Sequence, residues 1–275
     1  MKQRIITALL GCLVLFPVLY FSGTIVFPIA CAACSLVGAY ELCACFGVHK
    51  KLHLVVPTYL YAAAAPLLTH FLFQESTRAY LLFFSTLSFA LILYYILACV
   101  FSRGDNRFSV LSQVAVSTIY VVVGFTSLAL VRRGENGAYL FWLVFVGGWI
   151  TDIMAYFTGY FFGKHKLCPL ISPKKTIEGS IGGSLFCVLA FLLYGFILQR
   201  YFFLSPNYLI LGISGLIISI ISQIGDLSAS IIKRENNIKD FGNILPGHGG
   251  IIDRFDSLLP VAPLLLFIFE LYRLI

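Results

Sequence analysis

SIIKRENNIKDFGNILPGHGGIIDRFDS, residues 230–257, is the longest polar segment of a chain that is otherwise strongly apolar. Apolar runs lie on both sides of it, at 207–232 and 257–274. Charged residues at the edge of a membrane are costly unless they have partners or a chemical task. So many charges in one segment indicate a site that handles a metal ion and phosphate groups.

The composition is that of an integral membrane protein. Of the 275 residues, 60% are hydrophobic and only 11% are charged, whereas soluble domains carry about 25% charged residues. The mean hydropathy is +0.94, and the apolar runs approach or exceed the ~20 residues that a helix needs to cross hydrocarbon. The alternating segments of about ten residues that are typical of a membrane β-barrel are absent from the sequence. We therefore expect an all-α, polytopic membrane protein.

About nine transmembrane helices can be delimited along the chain. We predict five in an N-terminal region, 1–137, and four in a catalytic region, 138–275. Polar loops at 163–179 and 233–256 interrupt the catalytic region. The predicted spans are 5–21, 25–46, 54–73, 79–101, 108–131, 138–162, 180–198, 207–232 and 257–274.

The placement of Lys and Arg predicts the orientation in the membrane, because cytoplasmic loops carry an excess of these residues. With the N-terminus in the cytoplasm, 14 basic residues lie inside and five lie outside, and both polar loops face the nucleotide pool. We expect a multi-pass protein of a bacterial-type inner membrane. The net charge of +7 resides in the loops, so no nucleic-acid partner is expected. The inside residues include Arg103, and the outside residues are Arg78, Arg132, Arg133, Arg200 and Arg273.

Asp253 and Asp256 stand three residues apart at the predicted start of the ninth span. At helical spacing they would share a face, and carboxylates so close repel unless a cation lies between them. Asp226, within the eighth span, would supply a third carboxylate. Oxygen ligands suit Mg²⁺, which usually takes one or two carboxylates together with substrate phosphates. The alternative is that these acids only form ion pairs with nearby cations, namely Lys233, Arg234 or Arg254.

A glycine-rich run, Leu245-Pro-Gly-His-Gly-Gly250, precedes these acids. Glycine permits backbone conformations and close approaches that other residues resist. A glycine-rich turn that leads into a helix N-terminus presents N–H groups to anions. We therefore predict that Gly249 and Gly250 contact substrate phosphate. His248 either contacts phosphate as well or caps the turn.

Basic residues in two places are candidate phosphate ligands. Lys233 and Arg234 lie at the end of the eighth span, where ordinary positive-inside anchoring is the alternative. A second group, Ser172-Pro-Lys-Lys-Thr176, precedes the seventh span. Its lysines, Lys174 and Lys175, are point-charge phosphate binders by type, and Ser172 and Thr176 offer hydroxyl groups.

Two acids lie inside apolar spans. Asp152, in the sixth span, is a functional-site candidate by default, or else a buried partner for a lysine. Glu41, in the second span, is better interpreted as a buried, hydrogen-bonded carboxyl group than as a catalytic residue.

The spacing of the polar segment resembles the signature of the phosphatidate cytidylyltransferase (CDP-diacylglycerol synthase) family. Shorter stretches around Asp152 and Ser172 resemble further features of the family in the same order. The resemblance covers about residues 145–275, whereas the N-terminal third matches only as a string of spans. The matching patterns are Ser230-x-x-Lys233-Arg234, Lys239-Asp240-x-Gly242, Leu245-Pro246-x-His248-Gly249-Gly250-x-x-Asp253-Arg254-Phe255-Asp256, Ser172-Pro-Lys-Lys-Thr-x-Glu-Gly179 and Asp152-x-x-Ala-Tyr156.

The resemblance implies that CTP and phosphatidate give CDP-diacylglycerol and pyrophosphate in phospholipid biosynthesis. It implies a polytopic helical homodimer with a Mg²⁺ site, with K⁺ as a second ion, at Asp226, Asp253 and Asp256. The catalytic residues on this interpretation are Asp226, Lys233, Arg234, Asp253 and Asp256. The substrate-binding residues are Ser172, Lys174, Lys175, Thr176, Lys239, His248, Gly249, Gly250 and Arg254.

Two other functions stay open. A CTP-dependent lipid or polyprenol kinase would release CDP rather than pyrophosphate. An ion-coupled transporter would place its intramembrane acids near the bilayer midplane on broken helices, whereas most acids of this chain gather in loops at one face.

Overall fold

The computed structural model describes residues 2–75, 77–102, 107–244, 246–272 and 274–275. Helices dominate these residues, and seven of them are long and apolar enough to cross a membrane. The chain is therefore a multi-pass, all-α membrane protein, as its composition predicts. Three residues used in the sequence predictions lie outside the described residues. Leu245 belongs to the signature, and Arg103 and Arg273 belong to the count of basic residues. The side chains of Lys2, Arg4 and Arg78 lie outside them as well.

The first eight predicted spans match helical segments to within four residues at each end. The helices are α1 (Lys2–Tyr20), α2 (Val26–Cys45), α3 (Leu52–Glu75), α4 (Thr77–Phe101), α5 (Phe108–Arg133), α6 (Gly137–Phe145), α7 (Thr151–Phe162), α8 (Ile177–Phe202), α9 (Tyr208–Glu235), α10 (Ile252–Phe255) and α11 (Val261–Leu271). The strands are β1 (Lys166–Cys168) and β2 (Ser172–Thr176).

The ninth predicted span, 257–274, is shorter than the sequence predicts. Its helical part, α11, has 11 residues and is about 16 Å long, about half the thickness of the hydrocarbon core. Pro260 explains the late start, because a proline disfavours helical geometry at the residue before it. A turn at 256–260 therefore replaces the first part of the predicted span, and the short helix α10 precedes that turn.

The sixth span is one apolar segment, Gly137–Phe162, with a change of helix type at its centre. A π-helical turn, Val146–Ile150, joins α6 to α7. The Thr151 hydroxyl group donates a hydrogen bond to the Gly147 carbonyl oxygen at 2.5 Å. Asp152 follows directly, and such π-helical turns are frequent at functional sites.

A β-hairpin occupies most of the polar loop 163–179, which the sequence analysis did not predict. Strand β1 pairs with β2 in antiparallel fashion, with Lys166 opposite Thr176 and Cys168 opposite Ser172. The segment Ser-Pro-Lys-Lys-Thr of β2 contains few residues with β-propensity. The hairpin therefore leaves little signal in the sequence.

The chain divides into two compact units. The first comprises Met1–Leu130 and Asn236–Arg254, and the second comprises Val131–Glu235 and Phe255–Ile275. In the first unit, α2 packs on α3 and α3 packs on α4. Its apolar core draws on α2 to α5 and includes the buried side chains Ala39, Leu54, Tyr95 and Val114.

In the second unit, α8 packs against both α7 and α9, and α11 packs against α9. The contact between α7 and α8 is close enough to require glycine at position 179. A Cβ atom at Gly179 would lie 2.6 Å from the Ala155 carbonyl oxygen and 3.1 Å from the Gly159 Cα atom. Small residues are what allow helix backbones to approach one another in membranes. This contact fixes the end of α8 that follows the hairpin.

The first prediction concerns this helix contact. We expect Gly179→Ala to lower the free energy of unfolding by about 1–3 kcal/mol, the usual cost of overpacking, because the new methyl group meets backbone atoms. The matched control is Gly212→Ala in α9, whose Cβ atom would have one ordinary contact, 3.7 Å from Leu192 Cδ2. Thermal unfolding in detergent measures both variants, and equal midpoints would contradict the prediction.

Candidate active site

An ion pair between Lys175 and Asp226 lies at the centre of the candidate site in the second unit. Lys175 is on β2 and Asp226 is on α9, and Lys175 Nζ lies 2.6 Å from Asp226 Oδ2. The two side chains are 25% and 29% exposed. The ammonium group has no further partner among the described residues. The predicted alternative partners of the acids were Lys233, Arg234 and Arg254, whereas the partner of Asp226 in the structure is Lys175.

Asp256 lies beside Asp226 because α9 has a glycine at position 225. A Cβ atom at Gly225 would lie 2.5 Å from the Asp256 carbonyl oxygen, so only glycine lets the turn pack against the helix there. Burial raises the pKa of the Asp256 carboxyl group to about 7, and the charge of Asp226 adds to this effect. The charge of Lys233 acts in the opposite direction. The second unit therefore holds crowded carboxylates next to basic side chains.

Asp152 belongs to the same cluster. Ser257 donates a hydrogen bond to its carboxylate, and the charges of Asp226 and Lys175 act on it. Its place directly after the π-helical turn brings the side chain toward α9 and the turn at 256–260. Among the acids of the sequence analysis, the structure thus brings together Asp152, Asp226 and Asp256.

Asp253 has a different environment, in the first unit. Asp253 Oδ2 accepts hydrogen bonds from the backbone N–H groups of Phe241 at 2.8 Å and Gly250 at 2.9 Å. The carboxylate therefore closes the loop that precedes α10. The expectation that Asp253 and Asp256 share a helical face is wrong, because α10 ends at Phe255.

Glu41 holds the same loop from α2. Glu41 Oε1 accepts from the Ile251 N–H group at 2.9 Å, and Oε2 accepts from the Ile252 N–H group at 3.0 Å. The residue is 1% exposed. The interpretation of Glu41 as a buried, hydrogen-bonded carboxyl group is confirmed. Its partners were not predictable, because more than 200 residues separate them from Glu41 in the chain.

The glycine residues of this loop make the backbone contacts of Glu41 and Asp253 possible. Gly249 has a φ of +82°, and a Cβ atom at Gly250 would lie 2.3 Å from Glu41 Oε1. The Gly250 N–H group already donates to Asp253, so it is not available in the way that the sequence analysis expected. His248 Nδ1 is buried and makes no hydrogen bond to the described residues. Phosphate contacts of Gly249, Gly250 and His248 stay predictions.

The residues of the second basic group, 172–176, differ in burial and in their partners in the structure. Lys174 is exposed, whereas Lys175 is partly buried against Asp226. Thr176 is buried, and its hydroxyl group accepts a hydrogen bond from the Gly179 N–H group at 3.1 Å, which caps α8. This cap accounts for a hydroxyl group that the sequence analysis assigned to substrate. Ser172 is half-buried on β2.

The remaining basic candidates lie at the ends of elements. Lys233 is half-buried and Arg234 is exposed in the last turn of α9. Lys239 and Arg254 are exposed residues of the first unit. The side chains of Arg234, Lys239 and Arg254 are open to a ligand that approaches from solvent.

Two carboxylates of the second unit fit a hard divalent cation. Across the part of the chain that the structure describes, no three His, Cys, Asp or Glu side chains form a ready-made metal site. Mg²⁺ does not need one, because it is usually bound by one or two carboxylates plus substrate phosphates and water. Asp226 and Asp256 offer the oxygen atoms, and a cation would relieve the repulsion between them, which adds to the effect of burial on the pKa of Asp256.

Comparisons with known proteins identify the family of the chain. The profile of the cytidylyltransferase family matches residues 2–272. A phosphatidate cytidylyltransferase of Staphylococcus haemolyticus is 35% identical over 274 residues, which cover 96% of this chain and 97% of the relative. One of Staphylococcus epidermidis is 35% identical over 271 residues with the same coverage. One of Staphylococcus aureus is 44% identical over 167 residues, 59% of this chain and 61% of the relative. The chain therefore belongs to the cytidylyltransferase family.

Proposed function

We propose that the chain transfers the cytidylyl group of CTP to phosphatidate and so forms CDP-diacylglycerol and pyrophosphate. The relatives that bear the name of this activity match the chain over nearly its whole length. The observation that carries the proposal is the Lys175–Asp226 ion pair with Asp256 beside it. A charged cluster among apolar helices suits a reaction that joins a lipid to a soluble nucleotide.

The reaction needs no nucleophilic side chain. An oxygen of the phosphatidate phosphate group forms a bond to the α-phosphorus of CTP. The bond from that phosphorus to the bridging oxygen breaks, and pyrophosphate leaves with the electron pair. The attacking oxygen is already anionic, so no general base is required. The difficulty is that two anions must approach each other, and positioning with electrostatic stabilisation addresses it.

Lys175 is the residue best placed to bind a reacting phosphate group. A lysine ammonium group has three N–H donors, and Asp226 contacts it with a single oxygen atom in the structure. Asp226 holds the side chain in one position, which reduces the entropy that is lost when a phosphate oxygen binds. Lys233 and Arg234, at the end of α9, supply further positive charge.

We assign Asp226 and Asp256 as the ligands of Mg²⁺, with K⁺ as a second ion. Asp226 and Asp256 would hold the ion, and a bound divalent cation would supply positive charge that stabilises the departing pyrophosphate. Asp226 would then share its two oxygens between the ammonium group of Lys175 and the ion. Asp253 stays a predicted third ligand on the strength of its place in the signature.

We also propose that the site lies on the cytoplasmic side of the inner membrane. With the N-terminus in the cytoplasm, 14 of the 19 basic residues lie on the cytoplasmic side, which is the pattern that membrane insertion favours. The polar loops then meet cytoplasmic CTP at the inner membrane, while phosphatidate stays in the bilayer. A homodimer is the assembly that the family resemblance implies.

The products test the proposed activity directly. We expect purified protein, given phosphatidate and CTP labelled at the α-phosphate, to place the label in a lipid and to release unlabelled pyrophosphate. Thin-layer chromatography and a pyrophosphatase-coupled phosphate assay measure the two products. Release of CDP with an unlabelled lipid product would indicate a kinase, and absence of any lipid reaction would favour a transporter.

Replacing Asp253 by asparagine separates its charge from its backbone contacts. The amide oxygen of Asp253→Asn can still accept from the N–H groups of Phe241 and Gly250, so the loop should stay folded. We expect turnover to fall by at least about a hundredfold, as for loss of one electrostatic contact to a transition state. The matched control is Glu235→Gln, which removes an exposed carboxylate at the end of α9 and should keep activity. Unchanged turnover in folded Asp253→Asn protein would show that its charge is not needed.

Metal removal is expected to abolish turnover. Chelation with EDTA should stop CDP-diacylglycerol formation, and excess Mg²⁺ should restore it, because the crowded carboxylates and the phosphates then regain their counterion. The control is the same treatment with the Mg²⁺ complex of EDTA. Full activity after dialysis against chelator would contradict the assignment of Asp226 and Asp256 as metal ligands.

A further inference from the structure

The β-hairpin of the second unit lies at the membrane surface. It connects two candidate spans, Gly137–Phe162 and Ile177–Phe202. Only 14 residues separate the end of one span from the start of the next, so the hairpin stays close to the face at which both helices leave the bilayer. Its two strands are only three and five residues long.

The tip of the hairpin is apolar, and of its three residues Pro169 and Leu170 are exposed whereas Ile171 is half-buried. Pro169, Leu170 and Ile171 connect the two strands, and Leu170 is 95% exposed. The turn is ordered, because the Ile171 N–H group donates to the Cys168 carbonyl oxygen at 3.2 Å. An exposed apolar tip on an ordered turn suits an apolar partner outside the protein.

The flanks of the tip are basic. Lys164, Lys166 and Lys174 are exposed, and residues 163–177 contain no acid. Successive side chains of a strand point to opposite faces. Lys175 is turned toward Asp226, so Lys174 points away from the ion pair. An apolar tip with lysines around it is the pattern of segments that lie in the interface of anionic membranes.

Hydrogen bonds at the base of the hairpin hold it in place. Glu178 accepts hydrogen bonds from the backbone N–H groups of Lys164 at 3.1 Å and His165 at 3.2 Å, and it lies 2.7 Å from the His165 ring nitrogen Nδ1. The Ile177 N–H group donates to the His165 carbonyl oxygen at 2.9 Å. The fold therefore sets the direction of the tip.

We propose that this hairpin binds the surface of an anionic membrane. Pro169, Leu170 and Ile171 insert between lipid headgroups, and Lys164, Lys166 and Lys174 bind anionic headgroups of the bilayer. The hairpin thereby concentrates anionic lipid beside Lys175, which faces the other side of the same strand. The part that concerns phosphatidate rests on the proposed function, whereas binding to an anionic lipid surface does not.

Fluorescence tests the insertion of the tip without any activity measurement. Leu170→Trp protein is placed in nanodiscs whose lipids carry bromine on the acyl chains, and the signal of the two native tryptophans is subtracted using the unsubstituted protein. The lipid-facing reference is Leu193→Trp in the middle of α8, where Leu193 is 60% exposed. We expect brominated lipid to quench both added tryptophans. Quenching of the Leu170→Trp signal by aqueous iodide but not by brominated lipid would overturn the proposal.

The role of the lysines is tested by changing the charge of the lipids. Quenching of the Leu170→Trp signal should increase when phosphatidylglycerol is added to phosphatidylcholine nanodiscs. The increase should disappear when Lys164, Lys166 and Lys174 are all replaced by glutamine. The matched control is Arg200→Gln at the other end of α8, which should retain it. An increase that survives the triple replacement would overturn the role of the lysines.

A kinetic measurement distinguishes lipid from nucleotide as the ligand, since both are anionic. In mixed micelles, Leu170→Asp should raise the apparent KM for phosphatidate, expressed as a surface concentration, by about tenfold. The KM for CTP should not change. A change in the KM for CTP alone would overturn the proposal and assign the hairpin to the nucleotide. If the protein lacked the proposed activity, this assay would show no product, while the two fluorescence measurements would still decide on the membrane contact.

Discussion

A carboxylate inside a bundle of apolar helices needs a cation or hydrogen-bond donors beside it, and in the second unit Lys175 meets this need for Asp226. The two side chains retain roughly a quarter of their exposure, so the energy of the pair lies between two limits. A pair on the surface contributes about 0–1 kcal/mol, whereas loss of one partner from a buried pair costs about 3–5 kcal/mol. The pair is thus more than an incidental contact. It couples the strand that carries Lys175 to the helix that carries Asp226.

The surrounding elements bring these two groups together. Helix α9 has 28 residues and is about 42 Å long, more than the hydrocarbon thickness requires, so Asp226 can lie inside the bundle while Lys233 and Arg234 reach its edge. The hairpin lies on the adjacent helix ends through the Thr176 cap and the close contact at Gly179. Gly225 admits the backbone of Asp256 next to Asp226. Two glycines and one cap therefore determine where three charged groups meet.

The periodicity of apolar residues was sufficient to locate the spans, because hydrocarbon imposes a length and a composition on any helix that crosses it. The sequence also identified the acids, since a charge in an apolar run is conspicuous. It did not identify their partners. Lys175 reaches Asp226 across 51 positions of the chain, and Glu41 reaches Ile251 across 210, and neither distance has a local signal. The hairpin and the end of α10 at Phe255 were missed for a related reason: both depend on packing against helices rather than on their own residues.

The acids of the chain perform unlike tasks. Glu41 and Asp253 accept backbone N–H groups that the loop 236–254 cannot satisfy by itself, as buried donors require. Asp226 and Asp256 instead face basic side chains and each other. The same division applies to two adjacent lysines, because strand geometry turns Lys174 outward and Lys175 inward. Had these residues continued α8 as a helix, their side chains would have diverged by only about 100°, and both would have lain toward one side. In the proposed arrangement, a two-stranded ribbon lets one short segment present one lysine to the lipid surface and the next lysine to the reacting phosphate groups.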